Sequence, residues 1–251
     1  MTKTILFLGA TGGVALSALR RSLAANHTCI ALVRTPSKLT ALLSPSDSEP
    51  ASVPPNLTII QGNAHSVPSL IEALTSPSDP TRLVDTVISS IGGAFSFSNF
   101  SIDDPHVCEN GIKALLEALK QARAQGKSGR PNIVVVSTTG ITKSGVRDVP
   151  LLMVPLYHVM LKEPHKDKEA LERGVIESGE RWTIVRPSLL TDGGEYEGGV
   201  RVGVEDAVTG KVESSAVGYT VSREDVGKWI FESVVQGEEG RWDGKAVTIS
   251  Y

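Results

Sequence analysis

The chain has 251 residues, 40% of them hydrophobic, with 25 Lys and Arg against 28 Asp and Glu for a formal charge of -3, and its mean hydropathy is near zero. Those figures fit one large soluble domain or two small ones, with room for a sizeable core, and exclude disordered, fibrous and polytopic membrane classes. No net field is left to hold nucleic acid or an acidic membrane, so phosphate recognition has to be local, and Cys29 and Cys108 are too few for a secreted disulfide framework.

Lys3 and the apolar residues 5–8 have the outline of a secretory leader. Gly9, Gly12 and Gly13 interrupt that run where a strand-to-helix turn needs glycine, so the expected location is cytoplasmic. Apolar runs of strand length follow at 4–8, 29–33, 57–60, 84–89, 133–137, 183–185 and 247–249, with helical periodicity at 13–25, 69–75, 105–124, 166–178 and 223–235. Most of the runs are continuous rather than alternating, as expected of parallel strands covered on both faces. The predicted fold is α/β, a doubly wound and mostly parallel sheet in a single domain spanning 1–251. Residues 44–56 are rich in Pro and Ser and read as a surface excursion between two strands. Cys29 lies in an apolar run and reads as a buried thiol.

The segment LFLGATGGVA puts a strand directly before a glycine turn that opens an amphipathic helix. Gly9 allows the tight turn, Gly12 lets backbone approach a diphosphate, and Ala15 lets helix pack on strand, which is the arrangement for a dinucleotide. Arg34 and Lys38 follow the second strand, where an acidic residue would accept from the 2′-hydroxyl of NAD. A cation there suits the 2′-phosphate of NADP, the expected cofactor. Gly62 and Asn63 after the third strand, and Ser89, Ser90, Ile91, Gly92 and Gly93 after the fourth, stand at carboxyl ends of strands, where ligands bind. Phe95, Phe97 and Phe100 crowd the loop at 91–104, and 149–161 is a second apolar stretch cut by Pro155. Both are candidate walls for a flat hydrophobic substrate.

These strings, with VRTPSK, QGNAHSVPSLIEAL, WTIVRPSLLTDG and YTVSREDVGKWI, resemble the atypical short-chain dehydrogenase/reductases, and within them the NmrA-like and flavin/biliverdin reductase B type proteins. The likeness runs over about residues 4–249. It implies a Rossmann domain with a small substrate-side cover from about 141–165 and 188–222, and cofactor contacts that also include Thr11, Val14, Ser137 and Pro187. In that superfamily a Tyr-x-x-x-Lys pair follows the fifth strand. Lys168 with Glu172 fits the place of its lysine, but Pro164 stands where its tyrosine should be. Tyr157 is the nearest phenol, eleven residues before Lys168. Thr139 takes the place of the hydroxyl that polarises a carbonyl. His158 and His165 are further acid-base candidates, since imidazole titrates near neutrality; His165 in EPHKDKE reads as a loop residue.

The expected function is an NADP(H)-dependent oxidoreductase that moves a hydride to a small hydrophobic substrate, aromatic, enone or quinone-like. Two alternatives stand beside it: a cofactor-sensing regulator of NmrA type without turnover, and a non-redox isomerase or dehydratase on the same scaffold. A monomer is expected, with no nucleic acid, membrane or metal partner.

Overall fold

The computed structural model describes residues 2–44, 53–93, 95–96, 101–102, 104–142, 145, 148–151 and 162–251, with 95–96, 101–102 and 162–163 described by backbone alone. Strand β1 (Thr4–Leu8) leads into helix α1 (Gly13–Ala24), and β2 (Thr28–Val33), α2 (Pro36–Leu43), β3 (Leu57–Gln61) and α3 (Val67–Leu74) repeat the unit. A short hairpin of β4 (Thr75–Ser76) and β5 (Asp79–Leu83) precedes β6 (Thr86–Ser89); β7 (Phe95–Ser96) and β8 (Ser101–Ile102) pair beyond it. Then come α4 (Val107–Ala124), β9 (Asn132–Val136), α5 (Lys162–Glu177), β10 (Arg181–Pro187), β11 (Leu189–Thr191), β12 (Arg201–Asp206), β13 (Lys211–Ser214) and β14 (Thr220–Ser222). Helix α6 (Arg223–Trp229) runs on into a π-helical turn, Ile230–Val235, before β15 (Lys245–Ser250).

The main sheet has nine strands in the order β13-β12-β15-β10-β9-β6-β1-β2-β3. From β3 to β15 the neighbours are parallel; β12 and β13 are antiparallel additions at one edge. This is the doubly wound, Rossmann-like architecture. The order reverses between β1 and β6, and the crevice at that switch point is where ligands bind in open α/β sheets. The central strands β1, β2, β6 and β9 are apolar along most of their length because both faces are covered. Ile5 and Phe7 enter one core with Val14, Ala18, Leu19, Val226 and Ile230, whereas Leu6 and Leu8 enter the other with Leu70, Ile112, Leu115 and Leu171. Among the described residues no helix is long and apolar enough to cross a membrane.

Several boundaries differ from the sequence pattern for identifiable reasons. Helix α5 begins at Lys162 rather than 166, because Pro164 sits in the first turn, where a missing N–H costs no helical bond. His165 is therefore helical and 9% exposed, not a solvated loop residue. Strand β10 extends beyond 183–185 to include Arg181 and Arg186, charges that hide a strand from an apolar pattern until their buried or facing partners are known. Helix α2 and the edge strands β12 and β13, which lie within 188–222, were not evident from periodicity; the edge strands are covered on one face only, and Gly203 lets β12 pass so close to Ala216 that a Cβ would meet its nitrogen at 2.7 Å. Part of the excursion at 44–56 (45–52), and most of 149–161, fall outside the described residues.

Helices α1 and α6 meet through Gly227, where a Cβ would lie 2.5 Å from the Val14 carbonyl oxygen. Gly227→Val should cost about 2–3 kcal/mol, since backbone cannot yield to a side chain as flexible neighbours do. Urea unfolding measures it, and a loss below about 0.5 kcal/mol contradicts the packing.

Candidate cofactor and active site

The site is built from the turn between β1 and α1. Gly9 has φ +78, and a Cβ there would lie 2.8 Å from the Ser90 carbonyl oxygen, so only glycine allows β1 and β6 to end this close together. The Gly12 amide donates to the Gly9 carbonyl at 2.9 Å, closing the turn. Gly12 is also the N-cap of α1, and it offers no side chain to the first helical turn, which contains no acidic residue. The helix thus presents amide donors and the positive end of its dipole without an internal acceptor, a cradle that fits a diphosphate. Thr11 is half-buried beside Gly12, Gly13 follows, and Val14 turns inward to the core.

Around this turn the structure gathers the other expected contacts at the carboxyl edge. Arg34 and Lys38 are exposed beyond β2, and among the described residues no carboxylate pairs with either. Asn63 is exposed beyond β3, with its Oδ1 accepting from the His65 amide at 3.0 Å. Ser89 ends β6 and is buried; the Ser90 amide donates to the Leu8 carbonyl at 3.0 Å. Ser137 follows β9 with a buried Oγ that has no hydrogen-bond partner among the described residues. Pro187 closes β10 and is buried, its carbonyl accepting from the Thr139 amide at 3.2 Å. Thr139 itself is 1% exposed, and Thr138 beside it is only half-buried.

Lys168 projects from α5 into the gap between strand ends. Its Nζ donates to the Ile91 carbonyl at 2.9 Å and to the Val136 carbonyl at 2.8 Å, and it lies 3.9 Å from the position of a Cβ at Gly92. Glu172 is not its partner, contrary to the helical pairing that their spacing allows: that carboxylate turns to Arg186. Cys108 Sγ also donates to the Ile91 carbonyl, at 3.4 Å; burial, opposed by the charge of Lys168, pushes this thiol up to about 11, so it stands as a thiol and not a nucleophile. Cys29 is likewise buried, and pushed up to about 12 by burial. Tyr157, His158, Phe97 and Phe100 lie outside the described residues, and Phe95 is placed by its backbone alone.

The sequence family described as NAD(P)H-binding matches residues 9–236. The chain belongs to that family. Over 99% of its length it is 41% identical to the reductase pytE of Aspergillus terreus, covering 98% of that protein. It is also 36% identical to the oxidase pynE of Aspergillus niger, with 98% of each chain covered. In fold it is similar to a wide-type short-chain dehydrogenase/reductase of Veillonella parvula solved with NADP, at 17% identity and a TM-score of 0.67, covering 100% of this chain and 95% of that one. The NAD(P)H-binding family thus takes in the glycine loop, the strand ends and Lys168 together.

Two buried ionic arrangements in this family member position the site. Asp167, the neighbour of Lys168, accepts from the Cys108 and Glu109 amides at 2.9 and 2.8 Å and so caps α4 from another helix. Arg186 is 4% exposed; its Nε and Nη2 bind the two oxygens of Glu172 at 3.0 and 2.7 Å, and its Nη1 binds Glu205 at 2.9 Å. Burial alone would lower the guanidinium's pKa, but the hydrogen bonds and charge of Glu172, with Glu205 behind them, hold it above the usual value. The signal for this cluster was an arginine inside the apolar run WTIVRP, which requires a buried partner that sequence cannot name.

A cavity of about 180 Å³ opens at the opposite end of the sheet, bordered by Lys3, Asp85, Asn132 and Arg181. It lies at the amino ends of the strands, and its cations are already held, Lys3 by the Val235 carbonyl and Arg181 by Asp243. The glycine loop, not this cavity, carries the features of a dinucleotide site. Removing Arg186 strands two buried carboxylates, so Arg186→Met should cost about 3–5 kcal/mol. Adding Glu172→Leu and Glu205→Leu should restore much of that. Chemical denaturation of the single and triple variants checks it; a single-variant loss under about 1 kcal/mol contradicts the buried network.

Proposed function

We propose that the protein is an NADP(H)-dependent reductase that passes a hydride to a small hydrophobic acceptor of aromatic, enone or quinone type. The observation that carries the cofactor choice is the tip of β2, where Arg34 and Lys38 stand exposed and without a carboxylate among the described residues. Two cations there suit a 2′-phosphate and offer no acceptor for the 2′-hydroxyl proton of NAD. The curated relatives, one named a reductase and one an oxidase, support an oxidoreductase.

The reduced nicotinamide supplies the hydride when the cofactor is bound. The chain's own part is positioning. An ammonium has three N–H donors, and Lys168 commits two of them to Ile91 and Val136. Its charge is thereby held at the strand ends with one donor left for a nicotinamide ribose hydroxyl. The small residues Ser90 and Gly92 let the ring approach the backbone beside it. Pro164 occupies the helical position of the superfamily's tyrosine and has no proton to give. A conjugated acceptor suits such a site, because its negative charge develops on a remote oxygen that water or an imidazole can protonate.

Arg34→Asp should weaken NADP binding about tenfold to a hundredfold, the scale of one lost charge-assisted pair, and shift the preference toward NAD. Calorimetric titration of both cofactors reads this, and unchanged NADP affinity overturns the assignment. On one accepted substrate, Lys168→Ala should lower kcat/KM by about a hundredfold or more and Tyr157→Phe by about tenfold or less. An inactive Tyr157→Phe instead makes Tyr157 the acid and simple ketones the substrate class.

A further inference from the structure

The glycine loop brings no cation of its own to the two phosphates it would hold: Gly9, Ala10, Thr11, Gly12 and Gly13 are neutral. A cation reaches it from far downstream. Arg223, the first residue of α6, lies along Gly13, where a Cβ would come 2.7 Å from Arg223 Cδ and 3.0 Å from Arg223 Cβ. Helices α1 and α6 run side by side in the same direction, since Gly13 meets Arg223 while Ser17, one turn on, meets Gly227 and donates its hydroxyl to the Glu224 carbonyl at 2.9 Å. Both amino termini therefore end at the carboxyl edge of the sheet, with Arg223 at the mouth of the diphosphate cradle.

The guanidinium is only lightly committed. Its Nη1 donates to Asp192 Oδ1 at 2.7 Å, and the two side chains are 36% and 95% exposed. An ion pair this open contributes little in water. Its geometry is nonetheless organised, because Asp192 follows β11 and Arg223 follows β14, and those strands pair in parallel with Thr191 beside Ser222. The neighbouring carboxylates are already occupied: Glu224 and Glu195 accept from Arg21, and Asp225 accepts from the Ser222 hydroxyl at 2.9 Å and the Tyr196 amide at 3.0 Å.

We propose that Arg223 binds the cofactor's diphosphate, leaving Asp192 for the phosphate oxygens as the dinucleotide enters, with Asp192 holding the guanidinium extended beside the loop until then. The proposal rests on the cofactor reading of the glycine loop and adds a phosphate contact that the loop's own sequence does not contain.

Two fragments separate its failure from that of the cofactor reading: ADP, which has the diphosphate without the 2′-phosphate, and 2′-AMP, which has the reverse. In calorimetric titrations Arg223→Gln should weaken ADP, NAD and NADP alike, by about tenfold to a hundredfold, and leave 2′-AMP unchanged. Arg223→Lys should stay within a few-fold of the parent, and Asp192→Asn should bind ADP at least as tightly. Arg34→Asp should do the opposite of Arg223→Gln, losing 2′-AMP and sparing ADP. A folded Arg223→Gln with unchanged ADP affinity overturns the proposal, as does an equal loss for ADP and 2′-AMP, which marks a structural role. If Arg223→Gln does not fold, weakened ADP binding by Asp192→Asn or Arg223→Lys overturns it. A parent protein that binds neither NAD nor NADP overturns the cofactor reading itself.

Discussion

The end of β1 and the end of β6 come together at Gly9, where the Ser90 carbonyl occupies the space of an absent side chain. Everything at the carboxyl edge follows from that contact. It puts the first amides of α1 next to the backbone at 89–92, at the switch point of the sheet between β1 and β6. A residue with a Cβ would have to push the two strand ends apart and also adopt a left-handed conformation, two costs that glycine alone avoids.

Polar groups then fix what apolar packing leaves free. The two cores specify which face of each helix turns inward, but helices packed by Leu, Ile and Ala can slide or rotate at modest cost. The Arg186 cluster ties α5 to β10 and to the antiparallel edge strand β12, and Asp167 ties the same helix to the first turn of α4. Lys168 lies between these anchors, one residue from Asp167 and one helical turn from Glu172. Buried ion pairs add little net stability over hydrophobic residues of the same size, so their value here lies in setting the rotation of α5 and hence the place of one ammonium.

Both cysteines are buried and held as thiols, and the structure uses them as apolar volume. Arg34 and Lys38 stand exposed beyond β2, and Arg223 lies half-exposed against Gly13, beside a turn whose own residues carry no charge. Backbone amides at a helix start fit an anion, and cations nearby add longer-range attraction.

The sequence by itself determined the alternation of strand and helix, the parallel core, the glycine turn and the cations beyond β2. Each of these is a local pattern: continuous apolar runs, helical periodicity, three glycines within five residues, an Arg directly after a strand. It could not determine pairings between distant segments. That Glu172 faces Arg186 rather than Lys168, that His165 is buried in a helix, that β12 and β13 extend the sheet, and that Arg223 lies on Gly13 were all decided by tertiary structure. Spacing along one element predicts which side chains share a face, but a charge is satisfied by whichever partner the packing of other elements brings nearest.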